Sequence, residues 1–233
     1  PADNTASTTL EVVAAAPQAD LAIEVTVDPV PGYVGGEQTV TLSISNVGLV
    51  PSPATVTLAL PEDSGAPDDE ECLTEQGCSF LEVAAGAQII RTITLEPGQA
   101  LRGRARAAIT GPLPDPDPSD NEDSARIVVL QPSIQVIPPL GTPGQASHVF
   151  GEDFPPNAQV SLQWDPGLNI PRGGIPVGDD GTFDIPILVL NRDEVGPRSI
   201  VAARLRGERF SDVSIDYLVV PRTQYPPDFV SRG

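Results

Sequence analysis

Between residues 21 and 130 the apolar side chains of this chain return at every second position, in short runs divided by clusters of Pro, Gly, Asn and Asp. LAIEVTV at residues 21–27 and QTVTLSIS at 38–45 are the clearest. A period of two puts one set of side chains on one face of an extended strand and the alternate set on the other. No helix can gather such a pattern on one stripe. Further runs at 55–60, 79–83, 89–95, 101–109 and 125–130 bring the count to seven or eight strands in about 110 residues. That is the size and strand spacing of one immunoglobulin-like sandwich. From residue 133 a second series begins, with runs at 134–136, 148–150, 160–164, 200–205 and 213–220. Within it VGDDGTFDIPILVL reads as a hairpin, with Asp180-Gly181 as its two-residue turn. The expected fold class is all-β: two tandem immunoglobulin-like sandwiches.

A version of one stretch occurs twice. SDNEDSARIVVLQ at 119–131 closes the first sandwich, and ADNTASTTLEVVA opens the chain. Asp3-Asn4 falls on Asp120-Asn121, Leu10 on Ile127, Val12 on Val129 and Val13 on Leu130. In each copy an Asp-Asn turn, suited to left-handed geometry and to side-chain bonds with nearby backbone, feeds an alternating strand. The early copy has no sandwich in front of it. Residues 1–17 are therefore expected to be an orphan strand and hinge, followed by domains at 18–131 and 132–221 and a Pro-rich extended tail at 222–233. The junction at Gln131-Pro132 is short enough to hold the two domains semi-rigidly.

The chain carries 32 acidic residues against 13 basic ones, a formal charge of −19, and every basic residue is Arg. Such a surface disfavours nucleic acid and anionic membrane, which need clustered cations. No run is long and apolar enough to span a bilayer, so no membrane insertion is expected within this segment. With no initiator Met or signal peptide in view, the chain reads as a mature or trimmed piece of a longer product. Without Lys, no Lys–Asn isopeptide crosslink can form in it.

NVGLVPSPATVTLALPE, the Cys-bounded loop followed by L-x-x-AAGA, and DPDPSDNEDSARIVV together resemble the bacterial conserved-repeat domains related to CARDB. The resemblance covers roughly residues 18–131. It implies an extracellular, Ig-like module strung in tandem on large surface proteins, with no catalytic residues to carry over. GEDFPPNAQVSLQW and the strands after it resemble the TIG/IPT-like Ig fold over roughly 133–221.

Candidate sites are few. Cys72 and Cys78 bound an acidic loop; without further Cys or His nearby they are poor zinc ligands. A local disulfide in an oxidising compartment is the leading reading, and two free thiols on a loop are the plainer alternative. Asp115, Asp117, Asp120 and Asp123 offer hard oxygen donors at close spacing, as calcium prefers, although the pattern lacks the Gly and terminal Glu of an EF-hand. The plainer account is a turn whose Asp and Asn cap backbone. Asp68-Asp69-Glu70-Glu71 is a looser calcium candidate. Arg102, Arg104 and Arg106 alternate along one strand and share a face. Pairing with neighbouring acids accounts for them more simply than docking of an acidic partner such as the 62–75 loop of another copy. His148, the single histidine, has no activated nucleophile beside it and reads as a surface residue.

No enzyme is expected, and no cofactor apart from calcium. The leading reading is an extracellular structural or adhesive module that acts by rigid tandem display, its partners being neighbouring copies or adjacent domains. A filament subunit is the alternative: residues 2–14, through Leu10, Val12 and Val13, would add a strand to a neighbour. A carbohydrate-binding accessory module would need an exposed aromatic platform, for which Trp164, Tyr33, Tyr217 and Tyr225 are too scattered.

Overall fold

The computed structural model describes residues 18–165 and 169–222. The orphan strand with Leu10, Val12 and Val13, and the tail from residue 223, lie outside the described residues. The first sandwich contains β1 (Leu21–Asp28), β2 (Gly32–Tyr33), β3 (Gln38–Asn46), β4 (Ser52–Ala59), β5 (Ala66–Pro67), β6 (Cys78–Val83), β7 (Gln88–Glu96), β8 (Leu101–Thr110) and β9 (Glu122–Leu130). They form a four-stranded sheet in the order β1-β3-β7-β5 and a five-stranded sheet in the order β2-β9-β8-β4-β6. The second contains β10 (Ser133–Ile137), β11 (Leu140–Gly141), β12 (Ala146–Glu152), β13 (Gln159–Asp165), β14 (Asn169–Pro176), β15 (Phe183–Leu188), β16 (Gly196–Arg206) and β17 (Val213–Val219). Its sheets are β10-β12-β15 and β11-β17-β16-β13-β14. The all-β, two-sandwich architecture is thus present. No helix among the described residues is long and apolar enough to cross a membrane.

The period-two runs bury the residues they promised. β3 alternates buried and half-buried along its whole length, and Val40, Leu42 and Ile44 face Val56, Ala105, Ala107 and Ile127 of the opposing sheet. Each such side chain, fully buried, contributes roughly 1.5–3 kcal/mol. In the second sandwich Val149, Leu162, Ile200 and Val219 do the same, and Trp164 packs on Tyr217 with ring centroids 5.1 Å apart.

Both sandwiches open with the same device. After β1 the chain passes through PVPG and becomes β2, which pairs in parallel with β9 of the other sheet. After β10 it passes through two prolines and becomes β11, which pairs in parallel with β17. Pro lacks the N–H a ladder needs, so the first strand of each sandwich breaks there and resumes on the facing sheet.

The expected hairpin at VGDDGTFDIPILVL is not one. β14 pairs with β13 and β15 with β12, so the Asp180-Gly181 turn carries the chain between sheets. Phe183 decides this. Its ring packs 5.1 Å from that of Phe154 and lies over Gly151, where a Cβ would fall 2.1 Å from Phe183 Cε1. Ile175 and Val177, on the other side of the turn, are buried in the same core.

Candidate functional site

Asp20 precedes β1, and Asp115 and Asp120 lie on the loop joining β8 to β9; their carboxylates gather at one end of the first sandwich. One oxygen from each lies within 4.8 Å of the others, and all three residues are half-buried. Asn46 places Asp20. Fully buried, it accepts from Asp20 N (3.1 Å) and Gly48 N (3.1 Å) and donates to Val50 O (2.8 Å) and Val83 O (2.9 Å). Val47 N donates to Asp20 O at 2.7 Å, which fastens the turn after β3 to the start of β1. Asp115 Oδ2 accepts from Leu21 N (2.9 Å) and Oδ1 from Asp117 N (3.0 Å).

The four aspartates of the sequence motif divide. Asp115 and Asp120 enter the cluster. Asp117 accepts from Ser119 N, and Asp123 from Val25 N at 2.7 Å, so both act as backbone caps. Asp20 takes the third place, 95 positions from Asp115 in sequence, and no local motif could have announced it. Three buried oxygens have no hydrogen-bond partner among the described residues: Asp20 Oδ1, Asp120 Oδ1 and Asn121 Oδ1. Burial, then a hydrogen bond and charge from Asp115, and then charge from Asp120, hold the Asp20 carboxyl above its ordinary range. Burial and the Asp117 charge raise Asp120. Asp117 is lowered by the Ser119 hydroxyl and amide. Three carboxylates, with no sulfur or imidazole, form a donor set for a hard divalent cation.

Cys72 and Cys78 are joined in a disulfide, and both side chains are buried in the first core. The loop they bound is folded against β7. Arg91 is held by Asp69 and by Glu71 (2.7 Å), while Asp68 Oδ1 accepts from Thr94 N at 2.7 Å. An amide of Glu71 and the Arg91 guanidinium lower Asp69. Within the 68–71 run, the looser calcium candidate, Asp69 and Glu71 hold a guanidinium. Arg102, Arg104 and Arg106 all point outward from β8, and none makes an ion pair among the described residues. The expected pairing with neighbouring acids is not made among the described residues. His148 is half-exposed and shares a 2.8 Å contact between Nδ1 and Asp184 Oδ1.

The two sandwiches meet at a joint that the sequence reading located only at Gln131-Pro132. Tyr33, on β2 of the first sandwich, is 3% exposed and packs in the core of the second, with Leu130 beside it. The 207–212 loop of the second sandwich answers it. Phe210 is buried against Phe154, edge to face at 5.3 Å, and the next residue, Ser211, donates its N–H to Val34 O at 2.7 Å. Gly35 (φ +74°) and Gly36 allow the approach: Cβ atoms there would fall 2.1 Å from Ser211 Oγ and 2.4 Å from Arg209 O. Arg209 and Glu37 add an exposed pair at 3.4 Å. Burial, helped by the charges of Glu208 and Asp153, pushes the Tyr33 phenol up to about 12. Burial and the Asp28 charge raise Glu208.

No family model matches the chain, and no curated protein matches it. Among solved structures it is similar to the CARDB domain of the PF1109 protein of Pyrococcus furiosus, in complex with di-metal ions. That match has 13% identity and a TM-score of 0.37, over 56% of this chain and 99% of that one. It is also similar to the D00-D0 domain of intimin, at 12% identity and a TM-score of 0.43, over 86% of this chain and 99% of that one. A bacterial ice-binding adhesin matches at 13% identity and a TM-score of 0.38, over 88% and 66% of the two chains.

Proposed function

We propose that this chain is a non-enzymatic structural or adhesive module of an extracellular bacterial surface protein, CARDB-like in its first domain, which works by holding its sandwiches in rigid tandem. The observation that carries the reading is the joint. Tyr33 of one sandwich is a core residue of the other, Ser211 hydrogen-bonds across, and two glycines admit backbone-to-backbone approach. A tether would leave those groups in water. The short strand β2 fixes Tyr33 by pairing with β9, so displacement of one domain must break sheet pairing as well as burial. A carbohydrate-binding reading finds no support in the aromatic residues. Tyr33, Trp164 and Tyr217 are all buried, and Tyr225 lies outside the described residues. Small-angle scattering on the full chain tests the reading. The profile should fit a single relative placement of the two sandwiches and should broaden to an ensemble when Tyr33→Ala is introduced. A wild-type profile that already requires an ensemble removes rigid display.

A second reading concerns the aspartate cluster. We infer that Asp20, Asp115 and Asp120, with Asn121, take a calcium ion. Partnerless buried oxygens on Asp20 and Asp120, in a cluster where burial and mutual charge raise both carboxyls, favour this over simple turn capping. A bound cation would satisfy the oxygens and relieve the repulsion together, tying the start of β1 to the β8–β9 loop. Thermal midpoints with calcium and with chelator test it: calcium should raise the midpoint of the wild type and leave Asp20→Asn unmoved. Equal midpoints in the wild type would remove the ion from the account.

A further inference from the structure

We propose that the outer face of the five-stranded sheet in the first sandwich is a self-association surface. Two copies meet on it about a two-fold axis, the arginine stripe of each lying against the acidic loop of the other. The stripe is longer than the three residues on β8. Arg126 of β9 stands directly opposite Arg104, and Ser124 opposite Arg106, so four exposed guanidinium groups share one face. Like charges placed opposite each other on an antiparallel pair are destabilising. Here they stand without any ion pair among the described residues, on a chain with a formal charge of −19. Among the described residues Arg104 bonds only to the Ser124 hydroxyl and carbonyl, at 2.8–3.0 Å. Of the acids on β8 and β9, Glu122 is the one exposed on this face, opposite Ala108.

The matching patch is on the same molecule, one strand away. β4 lies next to β8, with Ala59 opposite Arg106, and then runs into the acidic loop. That loop returns along the flank of β4, where Cys78 stands opposite Val56. Its last turn, with Thr74 and Glu75, shares a shallow depression with Thr57, Ala59 and Arg106. Asp68, Asp69 and Glu71 are engaged with β7, which leaves the exposed Glu70 and Glu75 outside any ion pair among the described residues.

Glu75, with Glu122 at the same depression, sets acid beside the stripe on this face; patches of opposite sign on one face are self-complementary under a two-fold rotation, because each then meets its opposite twice. The acidity elsewhere on the chain repels any other orientation, so net charge selects the arrangement rather than preventing it. A second copy is the occupant the observations favour, since the loop that fits the stripe is part of this chain. An anionic polymer is the competing occupant.

Sedimentation velocity on the full chain, over a concentration series, tests this with two charge reversals. The wild type should show a concentration-dependent dimer. Arg104→Glu/Arg126→Glu and Glu70→Arg/Glu75→Arg should each weaken it by about tenfold or more. Mixed in equal amounts, the two variants should form a heterodimer, because the glutamates placed in one copy's stripe then face the arginines placed in the other copy's loop. All four positions are exposed, so unchanged circular dichroism should confirm that the variants fold. The proposal is overturned by a wild type that stays monomeric, by reversals without effect, or by a mixture that fails to associate. A monomeric wild type that binds dextran sulfate through Arg104 and Arg126 would assign the stripe to a polyanion instead.

Discussion

Replacing Tyr33 by Ala should uncouple the two sandwiches without unfolding the first. Tyr33 belongs by chain position and by its pairing with β9 to the first sandwich, yet its side chain is enclosed by residues of the second. A buried aromatic side chain removes roughly 150–250 Å² from water, and truncation of such a residue in a core costs about 3–5 kcal/mol. The loss falls on contacts between domains, so it should appear as lost coupling. For a chain of this size about 3 kcal/mol corresponds to a shift of roughly 6–12 °C. In differential scanning calorimetry the wild type should unfold in one transition. Tyr33→Ala should show two, with the second sandwich melting lower by about that amount. Tyr33→Phe keeps the ring and should stay close to wild type. If Tyr33→Ala melts in a single transition within about 1 kcal/mol of wild type, the burial argument is wrong, because the ring then contributes nothing that separate domains lack.

Three other outcomes follow from the same structure. Asn46→Ala removes four hydrogen bonds at a fully buried position and should destabilise the first sandwich by about 2–4 kcal/mol in urea, while also weakening the calcium response through Asp20. Asp20 and Asp120 have folded pKa values above the unfolded value of 3.8, so each binds its proton more tightly in the fold. Without calcium, their contribution is fully present below that value and lost as pH rises through the raised one; a chelator-treated midpoint should show this loss, and calcium should abolish it. Tyr33, raised from 10.0 to about 12, stabilises the joint below pH 10 and should release it between 10 and 12, read as an ultraviolet tyrosine titration coincident with loss of coupling.

Much of the fold was legible because strand patterns are local. The runs at 21–27, 38–45 and 101–109 lie within a residue or two of β1, β3 and β8, since alternation marks a half-buried strand wherever it occurs. The two-residue strands were not legible. β2, β5 and β11 read only as turn residues, and pairing partners far along the chain decide them. Phe183 similarly turned an apparent hairpin into a crossing between sheets, because the ring's partners lie about 30 residues back at Gly151 and Phe154. At the aspartate cluster the motif supplied Asp115 and Asp120, but Asp20 arrives only through the pairing of β1 with β3 and the Asn46 turn. Tyr33 sat in a stretch dense in Pro and Gly and carried no sign of the core it joins. The disulfide needed only proximity along the chain, and Cys72 and Cys78 had that.

Residual dipolar couplings in a weakly aligned sample of the full chain read the relative placement of the two sandwiches. Couplings from β1, β3 and β7 define one alignment tensor, and those from β13, β16 and β17 define another. A rigid joint requires the two tensors to coincide in magnitude and orientation, as for a single body. Tensors of clearly different magnitude would mean that the sandwiches reorient independently, and would contradict it.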